Sequence, residues 1–463
     1  MEMANQSSSE TDIAAEWLFR LRLEDVPDAT LHAAKACILD SLGCIIAGLR
    51  SKPCEIMLNV FSQQTETGKV TIPGTGRRLP MMDAAYLMAH AANILDFDDS
   101  FRDGAAGHPG ATIVPPALAM GEWGNHSGAD FLRAVIAGYE ISLRVGRAIQ
   151  PSPDRGRQVF GYATWQIFGA MGVGAVLQKL NQGQIANAFG IAALHATVPG
   201  GRKGGMGETA PFPWLKNAYG AASRGGLWAA LLAQNEYVGH RHVFEGPTGF
   251  WIMASSDSYR PALLTAELGK TWFIERVGFK PYACCRWTHT MIDAIRSCLP
   301  IMAGREIRDV EVAGFGELMT LDADFPKSVI DAQFNARYLA ALELAGKSSE
   351  QGLREADLDD IELRQLVDKI RLRHDPEADI GFFNEGSLPV RVSIRLADGD
   401  SFVVPVQFPR GSARACGYTQ RDIEAKFLQL TSAYLGRRRS ENLVAAVQSI
   451  EKQDMREIVR MIQ

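Results

Sequence analysis

The first half of the chain consists of stretches with helical periodicity that are unusually rich in alanine and glycine. Small side chains let helix backbones approach closely, so these stretches predict a compact helical bundle. We expect a first helix capped by Thr11 or Asp12 and a second over residues 30–48, ended by Gly48. Further helices are predicted near residues 82–95, 129–149, 165–180, 184–195 and 214–235.

The pattern changes near residues 255–261, where the sequence reads SSDSYRP. Strand-like runs follow, and the last two flank Asp398-Gly399, a dipeptide that favours a hairpin turn. The predicted strands are Val310–Phe315, Val390–Leu396 and Phe402–Val406, with helices near residues 288–302, 328–345 and 358–370. From about Gln420 the pattern is helical again, which predicts helices that pack back on the first part.

Chain length and these patterns predict two domains in a mainly α protein. An all-helical domain would contain residues 1–262 and 409–463, and a smaller α+β domain would contain residues 263–408. The net charge of −5 indicates neither a nucleic acid nor a membrane partner. The polar N-terminus predicts no secretory signal, and we expect no apolar run near 18 residues. These features favour a cytoplasmic protein, with a mitochondrial location left open.

The segment ANILDFDDSFRDGAAGHPG, residues 92–110, places acidic groups close to a histidine. Asp96, Asp99 and Ser100 have the spacing i, i+3 and i+4, so we expect them on one face of a helix end. A loop rich in glycine and alanine then leads to His108. Carboxylates beside an imidazole suit general acid–base catalysis. The alternative is an exposed acidic helix end followed by a turn histidine.

The segment FKPYACCRWTH, residues 279–289, holds Lys280, Arg286 and His289 among aromatic side chains. Aromatic surroundings lower the local dielectric constant, which strengthens the attraction of Lys and Arg for a carboxylate. The adjacent Cys284 and Cys285 are predicted to be buried thiols, because adjacent cysteines rarely ligate one metal and the chain has no CxxC motif. The seven cysteines are irregularly spaced, so we expect no iron–sulfur cluster, no metal site and a reducing compartment.

The segment GGRKGGMGETAPFPWLKN, residues 200–217, holds Arg202, Lys203 and Lys216 among glycines. Glycine-rich backbone beside cations can bind an anion. The segment lacks the GxxxxGK[ST] and GxGxxG orders, so it does not predict nucleotide binding. A flexible surface loop with solvated cations is the alternative interpretation.

Taken together, several segments resemble the MmgE/PrpD family, which includes 2-methylcitrate dehydratase, cis-aconitate decarboxylase and iminodisuccinate epimerase. They spread over residues 10–435 and, although each is weak alone, the combination is specific. The matching segments are MAHAANILDFDDS with GHPGATIVPPALAMGE, QIANAFGIAALHA, SRGGLWAALLA with FEGPTGF, and FKPYACCRWTH. The resemblance implies a large all-helical domain made by both chain ends, a smaller α+β lid domain and a site between them. It also implies a homodimer that uses no metal and no organic cofactor.

The resemblance implies a role for each residue that matches a family motif. Catalytic roles fall on Asp96, His108, Lys280 and Lys216, with the register of Lys216 uncertain by one or two residues. Substrate binding falls on Ser100 and His289 by the same resemblance, and we expect it also from Arg202, Lys203 and Arg286 because of the segments in which they lie. Lysines would hold the carboxylates of a small polycarboxylate, while His108 and Asp96 would transfer the proton.

The sequence departs from the family at two positions. Relatives carry another histidine near the start of the helix around residue 165, where this chain has Trp165, and some decarboxylases carry a histidine where it has Cys285. Our leading expectation is a lyase that dehydrates 2-methylcitrate or an alkylcitrate. There are three alternatives. The first is decarboxylation of cis-aconitate, and the second is epimerisation of an iminodisuccinate-like dicarboxylate, which the long DDSFRDGAAGHP loop favours. The third is a non-catalytic relative that binds a metabolite.

Overall fold

The computed structural model describes residues 9–64, 68–201, 213–302, 304–415 and 418–463. The first part of this structure is helical, as the sequence predicts. Its helices are α1 (Glu10–Arg20), α2 (Asp28–Gly48), α3 (Lys52–Gln64), α4 (Met81–Ile94), α5 (Gly110–Trp123), α6 (Gly128–Ala148), α7 (Pro153–Gln158), α8 (Tyr162–Leu177), α9 (Gln182–Leu194), α10 (Tyr219–Gln234), α11 (Phe250–Met253) and α12 (Pro261–Thr265). Short antiparallel pairs join β1 (Val70–Ile72) to β2 (Arg77–Leu79), β3 (Phe101–Arg102) to β4 (Ala106–Gly107), and β5 (Val159–Phe160) to β6 (Gly200–Gly201).

Glycine is what allows the central helices α6, α8 and α10 to pack closely. A Cβ on Gly226 of α10 would lie 2.6 Å from the carbonyl oxygen of Ile167 in α8, and one on Gly138 of α6 would lie 2.9 Å from that of Gly169. Both separations are far shorter than a real Cβ contact. The predicted compact bundle of helices rich in small residues is confirmed.

Helix α2 passes through the centre of this bundle. An 18-residue window within it reaches a mean hydropathy of 1.4, so by length and composition α2 could cross a membrane. The expectation of no apolar run near 18 residues is therefore wrong. Isolated polar residues such as Lys35 and Asp40 interrupt the apolar ones, so the high mean hydropathy of this stretch is not evident from the sequence. Within the fold, 83% of the window is buried, as in the core helix of a globular protein.

The second part of the chain is a mixed α and β structure. Its helices are α13 (His289–Met302), α14 (Gly316–Met319), α15 (Val329–Ala332), α16 (Ala336–Leu344), α17 (Ile361–Asp368) and α18 (Pro376–Ile380), and its strands are β7 (Ile307–Gly314), β8 (Ile370–His374), β9 (Val390–Leu396) and β10 (Ser401–Val406). The sheet has the order β10-β9-β7-β8, and β7 and β8 are its parallel neighbours. The hairpin predicted around Asp398-Gly399 joins β9 to β10.

The chain then returns to the helical part through α19 (Gln420–Leu435), α20 (Arg437–Gln448) and α21 (Met455–Ile462), of which α19 and α20 pack on α2. One buried apolar cluster joins these helices to the first part, and a second lies within residues 282–396. The mainly α fold is confirmed. The boundaries 1–262, 263–408 and 409–463 stay a prediction.

The first helix begins earlier than predicted. Its N-cap is Ser9, whose side chain accepts a hydrogen bond from the backbone N–H of Asp12. Thr11 binds Glu245 instead, through its backbone N–H at 2.5 Å and its hydroxyl at 2.9 Å. The sequence favoured Thr11 or Asp12 because all three residue types cap helices well.

Candidate active site

The segment after α4 is a turn and not a continuation of the helix. Helix α4 ends at Ile94, and Asp96 adopts a left-handed backbone conformation with φ of 50°. Aspartate tolerates this region better than most residues. The expectation that Asp96, Asp99 and Ser100 share a helix face is therefore wrong. The turn instead directs the carboxylate of Asp96 towards two lysines that are distant in sequence.

Asp96 lies between Lys216 and Lys280. Its Oδ1 lies 3.0 Å from Nζ of Lys216, and its Oδ2 lies 2.9 Å from Nζ of Lys280. Lys280 also donates to the main-chain oxygen of Asp96 at 2.9 Å. Burial on its own would raise the pKa of Asp96, but the two lysines together lower it well below its ordinary value. Asp96 is therefore a stable anion that holds the lysines, and it is a poor proton carrier.

Lys216 and Lys280 differ in their surroundings. Lys216 lies before α10 and also donates to the carbonyl of Asn93 and to Oε1 of Gln333, each at 3.2 Å. Burial lowers its pKa despite the attraction of Asp96. Burial would lower the pKa of Lys280 too, but Asp96 and then Asp98 raise it. Lys216 is thus the better proton donor and Lys280 the more stable cation.

His108 follows the β3–β4 hairpin, and its Nδ1 faces the buried turn that contains Asp98 and Asp99. Its Nδ1 lies 2.9 Å from the main-chain oxygen of Asp99 and 3.6 Å from Oδ2 of Asp98. A carbonyl only accepts hydrogen bonds, so Nδ1 carries the hydrogen and Nε2 has the lone pair of the neutral ring. Both oxygens of Asp98 accept from Asn93, at 2.9 and 3.1 Å. Nε2 is therefore the atom that can exchange a proton.

The pKa of His108 reflects its burial. Desolvation lowers this pKa below the ordinary value, against the opposing attraction of Asp98. Lys280 lowers it further, and Asp96 partly compensates. The ring is neutral at neutral pH, so Nε2 is available as a general base. The rings of Tyr162 and Tyr219 lie close to the imidazole, each with its centroid 6.3 Å from that of the imidazole.

Asp99 stabilises this turn through hydrogen bonds to two neighbouring helices. Its Oδ2 accepts from the hydroxyl of Tyr139 at 2.6 Å, and its Oδ1 accepts from the backbone N–H of Gly110 at 3.0 Å. Burial raises the pKa of Asp99 to about 8, with Asp98 and Asp40 adding to the effect. Asp99 is fully buried and hydrogen-bonded, so its place is structural.

The C-terminal helix α19 contributes Lys426, which connects the turn that carries Asp96 to the segment that carries Lys280. Its Nζ pairs with Asp40 of α2 at 2.7 Å and donates to the main-chain oxygens of Phe97 and, at 3.1 Å, Lys280. Both chain ends therefore meet at the turn that carries Asp96. This contact explains why the site needs the returning C-terminal helices.

Two cavities lie near this cluster, through neighbours of its residues: Tyr162 beside His108 lines one, and Ser100 and Arg286 line the other. One, of about 350 Å³, has aromatic walls that include Tyr162, Trp165, Trp287 and Phe382. The other, of about 650 Å³, is lined by more polar groups. Ser100, Arg102 and Arg286 are among them. Trp165 packs against Gly107, whose Cβ position lies 3.0 Å from the indole.

The remaining predicted residues divide into three groups. Ser100 and Arg286 lie beside the Asp96 cluster, on the wall of the larger cavity. His289 is fully buried behind them, with Nδ1 3.1 Å from Arg286 and Nε2 3.2 Å from the carbonyl of Cys284. Both its ring nitrogens are thus occupied, so the geometry favours support of Arg286 over substrate contact. Arg202 and Lys203 lie outside the described residues.

The sequence did not single out Asp98, Asn93 or Gln333. Asp98 belongs to the DFDD motif itself, so its place beside His108 could have been considered. Gln333 gives no sequence signal, because it falls within the helix predicted near residues 328–345, whereas in the structure it follows the end of α15. It nevertheless connects the two parts of the fold by donating to the carbonyl of Ile94 at 3.0 Å.

Comparison with known proteins agrees with this arrangement. A model of the MmgE/PrpD N-terminal domain matches residues 12–261, and a model of the MmgE/PrpD C-terminal domain matches residues 282–452. The cis-aconitate decarboxylase-like protein oryM of Aspergillus oryzae is 26% identical, over 98% of each chain. The cis-aconitate decarboxylase of Aspergillus terreus is 26% identical over 88% of this chain and 86% of its own. The 2-methylcitrate dehydratase of Escherichia coli K12 is 23% identical over 82% of each chain.

Proposed function

The chain belongs to the MmgE/PrpD family, and on this basis we propose that it is a lyase that acts on a small tricarboxylate. The observation that carries the proposal is one neutral histidine, His108, beside two lysines held by Asp96. Lysine cations attract substrate carboxylates and stabilise the negative charge that develops on a carbon next to one. The relatives named above act, by their names, on cis-aconitate and 2-methylcitrate.

The geometry favours dehydration of 2-methylcitrate or an alkylcitrate. Nε2 of His108 would remove the proton from the carbon next to a carboxylate, and that electron pair would form the new double bond. The hydroxyl would leave from the neighbouring carbon as water after it takes a proton from the ammonium of Lys216. A lowered lysine pKa makes the ammonium a better acid, which fits this role.

Decarboxylation of cis-aconitate is the second candidate, and a specific observation supports it. The relatives that match over larger shares of the chain than the dehydratase are named cis-aconitate decarboxylase-like protein and cis-aconitate decarboxylase. In that reaction carbon dioxide leaves, the electron pair shifts through the double bond, and Nε2 of His108, after taking a proton from solvent, donates that proton to carbon. One acid–base histidine is sufficient for this chemistry.

A substrate panel tests the proposal. The purified chain is incubated separately with 2-methylcitrate, longer alkylcitrates, citrate, cis-aconitate and iminodisuccinate, and the products are identified by mass spectrometry and chiral chromatography. We expect loss of water from the citrates, whereas release of carbon dioxide from cis-aconitate would select the second candidate. Inversion without a mass change would indicate an epimerase, and no product from any compound would contradict a lyase.

A further inference from the structure

Arg102 is a cation close to the proposed catalytic cluster that the acid–base chemistry does not use. It lies in β3, where it pairs with Ala106 of β4, so the same hairpin carries Arg102 and leads into His108. Its guanidinium stacks over the ring of Phe382, 4.3 Å from the centroid. The side chain is partly buried, and burial lowers its pKa.

The partners of Arg102 are main-chain carbonyls. Nη2 donates to the carbonyl of Phe382 at 3.0 Å, and Nε to that of Gly386 at 3.4 Å. Within the described ranges, no carboxylate oxygen lies within 4.0 Å of it. Glu317 attracts Arg102 from a greater distance but pairs with Arg157 at 3.7 Å. A guanidinium has five N–H donors, so these contacts leave donors for another acceptor.

Both cavities beside the cluster reach Arg102. Tyr162 lines the smaller cavity, and its ring is the one that lies 6.3 Å from the imidazole of His108. Ser100 and Arg286 line the larger cavity. A ligand whose reacting carbon is near His108 would therefore extend past the aromatic wall or along Ser100 to reach the guanidinium.

The charges of the side chains around the site also favour binding of an anion at Arg102. Lys216, Lys280 and Arg286 together with Asp96 and Asp98 carry a net charge of +1, which does not balance the three negative charges of a tricarboxylate. Arg102 adds a cation without an acidic partner in its immediate surroundings. Arginine binds a carboxylate through two parallel N–H bonds, which fixes orientation as well as charge.

We propose that Arg102 binds one carboxylate of the substrate, so that the site accepts three carboxylates, two near the lysines and one at Arg102. The proposal rests on the proposed function only in taking a polycarboxylate as the ligand. It does not depend on whether the reaction releases water or carbon dioxide. Arg102 would then set the preference for tricarboxylates over dicarboxylates.

Binding of unreactive ligands tests this without turnover. Calorimetry measures the affinity of the wild-type chain and of Arg102→Gln for tricarballylate and for glutarate and methylsuccinate, dicarboxylates that each lack a different carboxylate. Loss of a charge-assisted pair should weaken tricarballylate binding by about 10- to 100-fold. At least one dicarboxylate should bind the variant and the wild type equally. Arg102→Lys should recover part of the loss.

Arg260→Gln is the matched control, because Arg260 also donates to two main-chain carbonyls but is exposed. It should leave all three affinities unchanged. Two results for Arg102→Gln would overturn the proposal. Equal losses of affinity for every ligand, with a lower melting temperature, would show that Arg102 only holds the segment around Phe382. Unchanged affinity for tricarballylate would show that Arg102 does not bind the ligand. If Arg102→Gln loses tricarballylate selectively but no compound of the substrate panel reacts, the subsite stands and the proposed lyase activity fails.

Discussion

The carboxylate of Asp98 lies 3.6 Å from Nδ1 of His108, on the side of the ring away from the nitrogen that is free to react. Asp98 is fully buried, and Asn93 donates to both its oxygens. Its charge raises the pKa of His108 against the effect of burial. The buried carboxylate therefore makes His108 a stronger base and keeps Nε2 oriented outward.

Replacing Asp98 with Asn should weaken this base. Without the charge, the pKa of His108 falls further, so the limb of the kcat/KM profile that reports it moves to lower pH. We expect kcat to fall about 10- to 100-fold. The pH profile of kcat/KM measures the shift of the limb, and rates at saturating substrate measure kcat. Asp379→Asn is the control, because Asp379 pairs with His374 at 3.0 Å on the surface and its loss should change neither quantity. If the pH profile of Asp98→Asn matched that of the wild type, Asp98 would not be what raises the pKa of His108.

Asp96→Asn should lower both stability and activity. The substitution keeps the left-handed backbone, which asparagine also tolerates, but leaves Lys216 and Lys280 without their shared anion. Breaking a buried pair on one side costs about 3 kcal/mol of unfolding free energy. Chemical denaturation measures this loss, and steady-state kinetics should show a fall in kcat. A variant of full stability with unchanged kcat would show that the lysines do not need Asp96.

Asp99→Asn should change how stability depends on pH. The pKa of Asp99 is raised to about 8, so the folded protein retains a proton that the unfolded chain releases above the ordinary aspartate value. The wild type therefore loses stability as pH rises from about 4 to about 8. Asparagine mimics the protonated group and removes this contribution. Melting temperatures at several pH values should show a flatter dependence in the variant, and parallel curves would contradict the assignment.

The aromatic cavity predicts an effect of substrate chain length. Tyr162, the neighbour of His108, lines it, and its volume of about 350 Å³ is more than a methyl group fills. Each methylene that becomes buried contributes about 0.8 kcal/mol, or about a fourfold gain in binding. In a series of citrates with longer alkyl groups, KM should fall over the first few methylenes. A KM that rises steadily from the methyl compound would show that the cavity does not receive the substituent.

The sequence predicted much of the helical fold because the periodicity and the small residues act locally. It also brought out Asp96, His108 and Lys280, since each lies in a recognisable motif. It could not reveal that Asp96 turns out of its helix, because the lysines that hold it come from elsewhere in the chain. Gln333 was not predicted as a site residue for the same reason, since its partners are distant in sequence. Arg102 was not predicted because its lack of an acidic partner is visible only in three dimensions.

The pH dependence of kcat/KM, measured on the wild type with the compound that reacts, tests the role of His108 most directly. If neutral His108 is the base of a dehydration, kcat/KM increases as pH rises through an apparent pKa lower than that of an ordinary histidine, and His108→Gln loses that limb while exposed His240→Gln keeps it. The loss should be about 10²- to 10⁴-fold. A kcat/KM that decreases as pH rises through the same range would mean that protonated His108 donates the proton, as in decarboxylation. A profile that His108→Gln leaves unchanged would contradict any acid–base role of this residue.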